Sequence, residues 1–234
     1  MASNSSRPVS ATVPQRWGLW LLVAGGTIIA VLTALWLTHG GSDAGNPAQM
    51  AKEQASFFFV LVFGWLQILA FVALLLGLAA LYGVLSRRTG SNLALGGLVL
   101  GTLSLSAVIA GFGAAMLGGA VVADSYLRGN TGALDALHRL SGGSFGTAIL
   151  QALIAGTILS ALSAVATGVA IWRSAVFPLW SAVAFGVGFV LAVASFPLIS
   201  TVGGVLLAVS GFTLARTIRG ESEDAVSPAH AQTA

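Results

Sequence analysis

Residues 56–84 read SFFFVLVFGWLQILAFVALLLGLAALYGV, a stretch that holds no Asp, Glu, Lys or Arg. A helix of about 20 apolar residues, at 1.5 Å per residue, crosses the ~30 Å hydrocarbon core of a bilayer. A chain with only 7% charged residues cannot cover such helices with a water-facing surface, because soluble domains carry about 25%. The stretch therefore predicts a transmembrane helix.

The same criterion identifies five more spans in this chain of 234 residues. We predict an all-α fold, a polytopic transmembrane bundle of six helices at 17–38, 56–84, 93–119, 146–172, 177–195 and 198–216. Gly118-Gly119 is expected to end the third helix. The first span exceeds the ~7–15 apolar residues of a signal peptide, so we expect it to be retained. The polar segments 1–16 and 217–234 predict disordered cytoplasmic tails.

The last two spans are separated at Ser195-Phe196-Pro197, because proline removes a backbone donor and restricts the residue before it. Charge supports this division, since cytoplasmic loops are enriched in Lys and Arg. With six helices both termini are cytoplasmic, and that side holds Arg7, Arg16, Arg87, Arg88, Arg173, Arg216 and Arg219, against Lys52, Arg128 and Arg139 outside. Five helices would divide these residues equally.

Small residues recur at every fourth position in the last four predicted helices. Lipid gives helices no hydrophobic reason to associate, so close backbone packing and hydrogen bonds must hold the bundle. Residues of this kind that predict helix contacts are Gly111, Gly119, Gly156, Ser160, Gly168, Gly188 and Gly204. The same pattern also suits a surface for a second copy of the chain.

Gln67 is the most polar residue inside a predicted span. About ten residues separate it from the outer end of its helix, which places it ~15 Å deep. Ser106 and Thr157 reach a similar depth, so these three predict a polar layer that could bind a small solute. Hydrogen bonds among helices would instead give them a structural role. Trp65 is expected in the core.

Arg216 ends the sixth predicted span, and no other Asp, Glu, Lys, Arg or His lies in any of the six, which argues against an ion-driven transporter. The chain has no cysteine, and its three histidines are far apart, so we predict no metal site and no cofactor. The few basic residues are scattered through loops, which argues against nucleic-acid binding. Acid–base chemistry is conceivable only in the outer loop, at Asp124, Asp135, His138 and Arg139, where paired surface charges are the simpler interpretation. Asn130-Thr131 could start a helix on the membrane surface there.

The layout resembles an uncharacterised family of six-helix bacterial integral membrane proteins. The features that match are Asn46-Pro47 before the second span, the Arg87-Arg88 turn, a long outer loop, and Trp172-Arg173 followed by Pro178. The resemblance implies a bacterial protein that crosses the inner (cytoplasmic) membrane several times. It implies no catalytic residue.

Three functions are compatible with the sequence. The first is a non-enzymatic structural or interaction component of the membrane, whose partners are the lipid bilayer and either a second copy or another membrane protein. The alternative is a transporter or binding protein for a small neutral or apolar solute. The third is a membrane enzyme with a site on the outer face.

Overall fold

The structure is a computed structural model that describes residues 13–39, 47–88, 90–133, 135, 143–194 and 196–226. This part of the chain is all-helical and contains no strand. Its helices are α1 (Val13–His39), α2 (Pro47–Gln54), α3 (Phe57–Leu85), α4 (Ser91–Leu127), α5 (Ser144–Arg173), α6 (Leu179–Val193) and α7 (Pro197–Val226). Within α3, residues Val60–Leu66 form a π-helix.

Five of these helices are long and apolar enough to cross a membrane: Trp17–Thr38, Phe57–Leu85, Ser91–Leu127, Gly146–Arg173 and Pro197–Gly220. The prediction of an all-α bundle of membrane-spanning length is therefore confirmed. The remaining apolar helix, α6, has 15 residues and so a length of about 22 Å, less than the hydrocarbon core. The predicted break near Pro197 does separate α6 from α7.

Several predicted boundaries differ from the structure. The predicted stop at Gly118-Gly119 is wrong, because α4 continues to Leu127. A glycine costs a helix about 1 kcal/mol, and here the helix continues far enough to bury Ala123. α1 begins at Val13 and α7 runs to Val226, so both enter segments predicted as tails. The rest of those tails, and most of the predicted surface helix after Asn130, lie outside the described residues.

Six helices form a closed ring in the order α1, α3, α4, α5, α6, α7 and back to α1, each packing on the next. Neighbours in the ring run antiparallel. The carboxyl ends of α3, α5 and α7 therefore meet at one end, which carries Arg87, Arg88, Arg173, Arg216 and Arg219. We call this the basic end. In the half of the ring near it, buried side chains such as Leu78, Leu105, Phe185 and Phe189 fill the centre.

The ring closes where α1 meets α7. A Cβ built on Gly204 would lie 2.6 Å from the carbonyl oxygen of Gly26 and 2.7 Å from the backbone nitrogen of Ala30. One on Gly26 would lie 2.7 Å from the carbonyl oxygen of Gly204. The two backbones therefore touch with no side chain between them, the close approach that helix association in lipid requires.

Serine hydroxyls join other neighbours. Ser104 of α4 donates to the Gly156 carbonyl of α5 at 2.7 Å, and Ser163 of α5 donates to the Gly97 carbonyl of α4 at 2.7 Å. Ser210 of α7 donates to the carbonyl of Ser181 in α6 at 2.9 Å. Interhelical bonds of this kind contribute about 0.6–2 kcal/mol each.

Three of the residues predicted at helix contacts lie at tight ones, where a Cβ would approach a neighbouring helix within 3 Å: Gly156, Gly188 and Gly204. Gly111 faces Leu153 at 3.2 Å and Gly168 faces the Ala182 carbonyl at 3.4 Å. Gly119 lies beside the side chain of Gln54 rather than a spanning helix. Ser160 is fully buried, but its hydroxyl donates to Thr157 of its own helix.

The substitution Gly204→Val tests the α1–α7 contact. The added side chain would collide with backbone atoms of α1, which cannot move aside, and overpacking of this kind costs about 1–3 kcal/mol. We expect a lower midpoint of thermal unfolding in detergent, followed by circular dichroism. The matched control is Gly96→Val in α4, because a Cβ there meets no atom within 4 Å. Equal losses in the two variants would contradict the packing described.

Candidate functional site

A cavity of about 310 Å³ lies at the centre of the ring, in the half away from the basic end. All six ring helices or their connections contribute to its wall. The lining residues are Leu32, Thr33, Trp36, Phe63, Gln67, Phe71, Val108, Phe112, Met116, Leu153, Ala192, Val193, Ala194, Pro197 and Ser200. The bundle centre is therefore filled in one half and hollow in the other.

The short α6 explains why the cavity forms. The helix ends at Val193, and Ala194 takes an extended conformation with φ −62° and ψ 143°. Beyond that point α6 contributes no further turn to fill the ring. Its end is capped from α7, because the Ser200 hydroxyl donates to the Ala194 carbonyl. The residues left to line the cavity there are small, so a space remains.

Aromatic side chains form much of the remaining wall. The rings of Trp36 and Phe63 meet nearly edge to face, with centroids 5.3 Å apart. Phe59 packs on both of these rings, at 5.5 Å from Trp36 and 5.4 Å from Phe63. Phe71 and Phe112 form a second edge-to-face pair at 6.3 Å. This is a rigid apolar lining of the kind that binds small molecules.

Gln67 is the exception in this apolar wall. Its side chain is only 7% exposed and lines the cavity. An amide offers two donors and an acceptor, yet within the described part of the chain this one makes no side-chain hydrogen bond. Its amide atoms keep access to the space of the cavity, since Thr167 carries the fully buried, unpaired side-chain polar atom among the described residues. A hydrogen-bonding group inside the cavity would give the amide a partner.

The π-helix of α3 ends immediately before Gln67. Such segments are rare and frequently occur at functional sites. Here Phe63 and Gln67 both line the cavity, while Trp65 between them is 51% exposed. The expectation that Trp65 belongs to the core is therefore wrong. Sequence offers no signal for this segment, because its residues suit an ordinary α-helix equally well.

The hydroxyl groups in the wall are bonded to the protein. Thr33 lies 2.8 Å from the hydroxyl of Thr201 and 2.7 Å from the carbonyl oxygen of Ile29, to which it donates. Thr201 in turn lies 2.8 Å from the Pro197 carbonyl oxygen. Ser200 donates to Ala194 as described. Among the described lining residues, the amide of Gln67 and the indole N–H of Trp36 are therefore the polar side-chain groups without a described protein partner.

The structure does not bring Gln67, Ser106 and Thr157 together at one cavity. Ser106 is exposed on the outside of α4, and Thr157 donates to the Leu153 carbonyl of its own helix at 2.9 Å. Depth along a helix does not determine direction around it. Ser106 precedes the lining residue Val108 by two positions, which at 3.6 residues per turn is more than half a turn. Lining residues absent from the prediction, such as Trp36 and Phe63, carry no polar signal that could reveal them.

No ionisable side chain lines the cavity. At the other predicted cluster, Asp124 and Arg128 form an exposed ion pair at 2.8 Å, one turn apart on α4. Surface pairs of this type contribute little and do not indicate chemistry. Asp135 is exposed, and His138 and Arg139 lie outside the described residues. Among the described residues no three potential metal ligands lie together.

The substitution Gln67→Leu separates a ligand-binding role from a structural one. Leucine removes the unpaired amide and keeps an apolar side chain in its place, so the unfolding midpoint of the ligand-free protein should stay equal or rise. Ser104→Ala is the comparison, because it removes a real interhelical hydrogen bond and should lower the midpoint. A loss in Gln67→Leu as large as that in Ser104→Ala would show that Gln67 serves packing alone.

No protein-family model, no curated protein and no solved structure matches this chain. The resemblance to six-helix bacterial membrane proteins accordingly stays a prediction.

Proposed function

We propose that this membrane protein is a non-enzymatic binding protein for a small neutral molecule that is mostly apolar and carries one hydrogen-bonding group. The observation that supports this function is the buried amide of Gln67, which faces the central cavity without a described protein partner. The cavity gives a ligand space and an apolar wall, and a hydrogen bond to the amide would fix the orientation of the ligand. Binding pockets commonly combine these two properties.

The chemistry of the ligand follows from the wall. A charged molecule would lose its hydration without gaining a counter-ion, since no Asp, Glu, Lys, Arg or His lines the cavity. A volume of about 310 Å³ lies at the lower end of the range for ligand sites, which favours a small molecule. The wall also lacks an acid or base for catalysis. These properties favour solute binding over the purely structural role that the sequence suggested first.

We further propose six crossings of the cell membrane with both termini in the cytoplasm, at the basic end. In this arrangement α6 is a short sixth span whose non-helical end at Ala194 lines the cavity and is capped by the Ser200 hydroxyl. Non-helical backbone is tolerated at membrane depth where protein surrounds it or where it lines a cavity. The concentration of arginines at the basic end fits the cytoplasmic side.

Binding can be tested with para-bromophenol, a neutral phenol whose bromine quenches tryptophan fluorescence. We expect saturable quenching of Trp36, absent in Trp36→Phe. Bromobenzene is the matched probe without a hydroxyl. For each protein we compare the dissociation constant of bromobenzene with that of the phenol. This ratio should be about two- to tenfold larger in the wild type than in Gln67→Leu, which corresponds to the free energy of one hydrogen bond. Each probe partitions into detergent to the same extent with either protein, so this partitioning cancels when the two ratios are compared.

The preference for the phenol is the decisive quantity in that experiment. If wild type and Gln67→Leu discriminate equally between the two probes, Gln67 does not form a hydrogen bond with the hydroxyl group of the ligand. If neither probe quenches Trp36 saturably, the cavity is not a binding site for molecules of this class.

Topology can be tested with single cysteines, because the chain has none of its own. Thr131→Cys lies in the connection after α4, and Ser227→Cys lies just beyond α7. A membrane-impermeant maleimide applied to intact cells should label Thr131→Cys at once and Ser227→Cys only after permeabilisation. If α6 did not cross, the chain between the two positions would cross twice, and both cysteines would react in intact cells.

A further inference from the structure

A second concave feature, the α5–α6 groove, lies on the outside of the ring and has a volume of about 550 Å³. Its floor is formed where small residues bring the two helices together. A Cβ on Gly168 would lie 3.4 Å from the Ala182 carbonyl oxygen, and one on Gly186 would lie 3.5 Å from the Ala164 carbonyl oxygen. Larger side chains, including Val165, Val183 and Leu191, form its walls. Every lining residue is apolar.

The length of the groove matches one leaflet of a bilayer. On α5 it extends from Ala161 to Trp172, which is about 16 Å at 1.5 Å per residue. Half of the ~30 Å hydrocarbon core is about 15 Å. The groove begins at the basic end and so runs from the membrane surface towards the midplane. One acyl chain of a lipid in that leaflet would lie along it.

The mouth of the groove carries a tryptophan and arginines. Trp172 lines the groove and is 59% exposed, and Arg173 next to it is exposed. Gly90, with φ 102°, allows the α3–α4 turn to lie against the end of α5, where a Cβ on it would be 3.6 Å from the Cβ of Arg173. The same turn carries Arg87, which is also exposed. Neither Arg87 nor Arg173 has an ion pair among the described residues.

We propose that the α5–α6 groove binds the acyl chain of an anionic phospholipid whose phosphate lies at Arg87 and Arg173. Trp172 is then at headgroup level, the depth that its ring favours. Glu53, Asp124 and Asp135 are away from the basic end, whereas Glu221, Glu223 and Asp224 follow Arg219 on the last turns of α7, a helix that packs on α6 and α1 rather than on α5. Arg87 and Arg173 are exposed and have no ion pair among the described residues, so an external anion is a suitable partner for them. An anionic lipid carries its charge and an acyl chain that fits the apolar groove in one molecule, whereas a second copy would have to bring the acidic end of its α7 to these arginines while another of its faces filled the groove.

The test uses the full-length protein in mild detergent with phosphatidylglycerol or phosphatidylcholine of identical acyl chains, and native mass spectrometry to count bound lipid. We expect stronger binding of phosphatidylglycerol. Arg87→Gln and Arg173→Gln should each weaken it about fivefold, the equivalent of about 1 kcal/mol per basic residue, without changing phosphatidylcholine binding. Arg128→Gln removes the same charge at the other end of α4 and should have no effect.

The groove itself is tested by Val183→Trp, which fills it from an exposed wall position and leaves the core intact. Both lipids should bind less well to this variant, whereas Val205→Trp, at a similarly exposed position of α7 outside the groove, should bind them as the wild type does. Equal affinity of the wild type for the two lipids would overturn the proposal. So would unchanged phosphatidylglycerol binding in Val183→Trp, or a protein dimer that this substitution dissociates in the absence of lipid.

Discussion

The end of α6 imposes the constraint on which the rest of this structure depends. A backbone that leaves helical geometry at Ala194 presents polar groups that hydrocarbon cannot satisfy, so protein must surround it. Ala194 is half-buried and lines the cavity, and the Ser200 hydroxyl satisfies its carbonyl directly. Because α6 is only 15 residues long, the shielding of its end also leaves the centre of the ring unfilled beyond it. The central cavity is thus a consequence of one short helix.

The two halves of the ring consequently differ in how they are stabilised. Near the basic end, large side chains such as Phe185 and Leu105 fill the centre, and removal of any of them would leave a void. Around the cavity, contacts along the perimeter must hold the helices. There α1 meets α7 through Gly26 and Gly204, and the hydroxyls of Thr33 and Thr201 lie 2.8 Å apart. Close backbone packing on the perimeter allows the interior to stay open without collapse.

Five long apolar helices and the break before α7 could be predicted from the sequence, because both depend on local chemistry. A long uncharged run is stable only in lipid, and Pro197 cannot continue a helix that needs its amide. The polar layer of Gln67, Ser106 and Thr157 could not be predicted reliably. The position of a residue along its helix gives its depth in the membrane, but the direction of its side chain around the helix axis depends on how the helix packs. Gln67 was found from its polarity alone. The outward direction of Ser106 depends on how α4 packs, and that depends on every other helix.

The sequence also could not reveal which apolar residues surround Gln67. Trp36 and Phe63 suit lipid, core and cavity equally well, and the π-helix that separates Phe63 and Gln67 from Trp65 has no distinct composition. Thr167 shows why space matters as much as a missing bond. Its hydroxyl is also buried without a hydrogen-bond partner, but it lies tightly against Gly97, so no ligand fits beside it. At Gln67 the missing bond and the free space coincide. A ligand of the proposed kind would have room there to give the amide its hydrogen bond, which is the difference between the two sites.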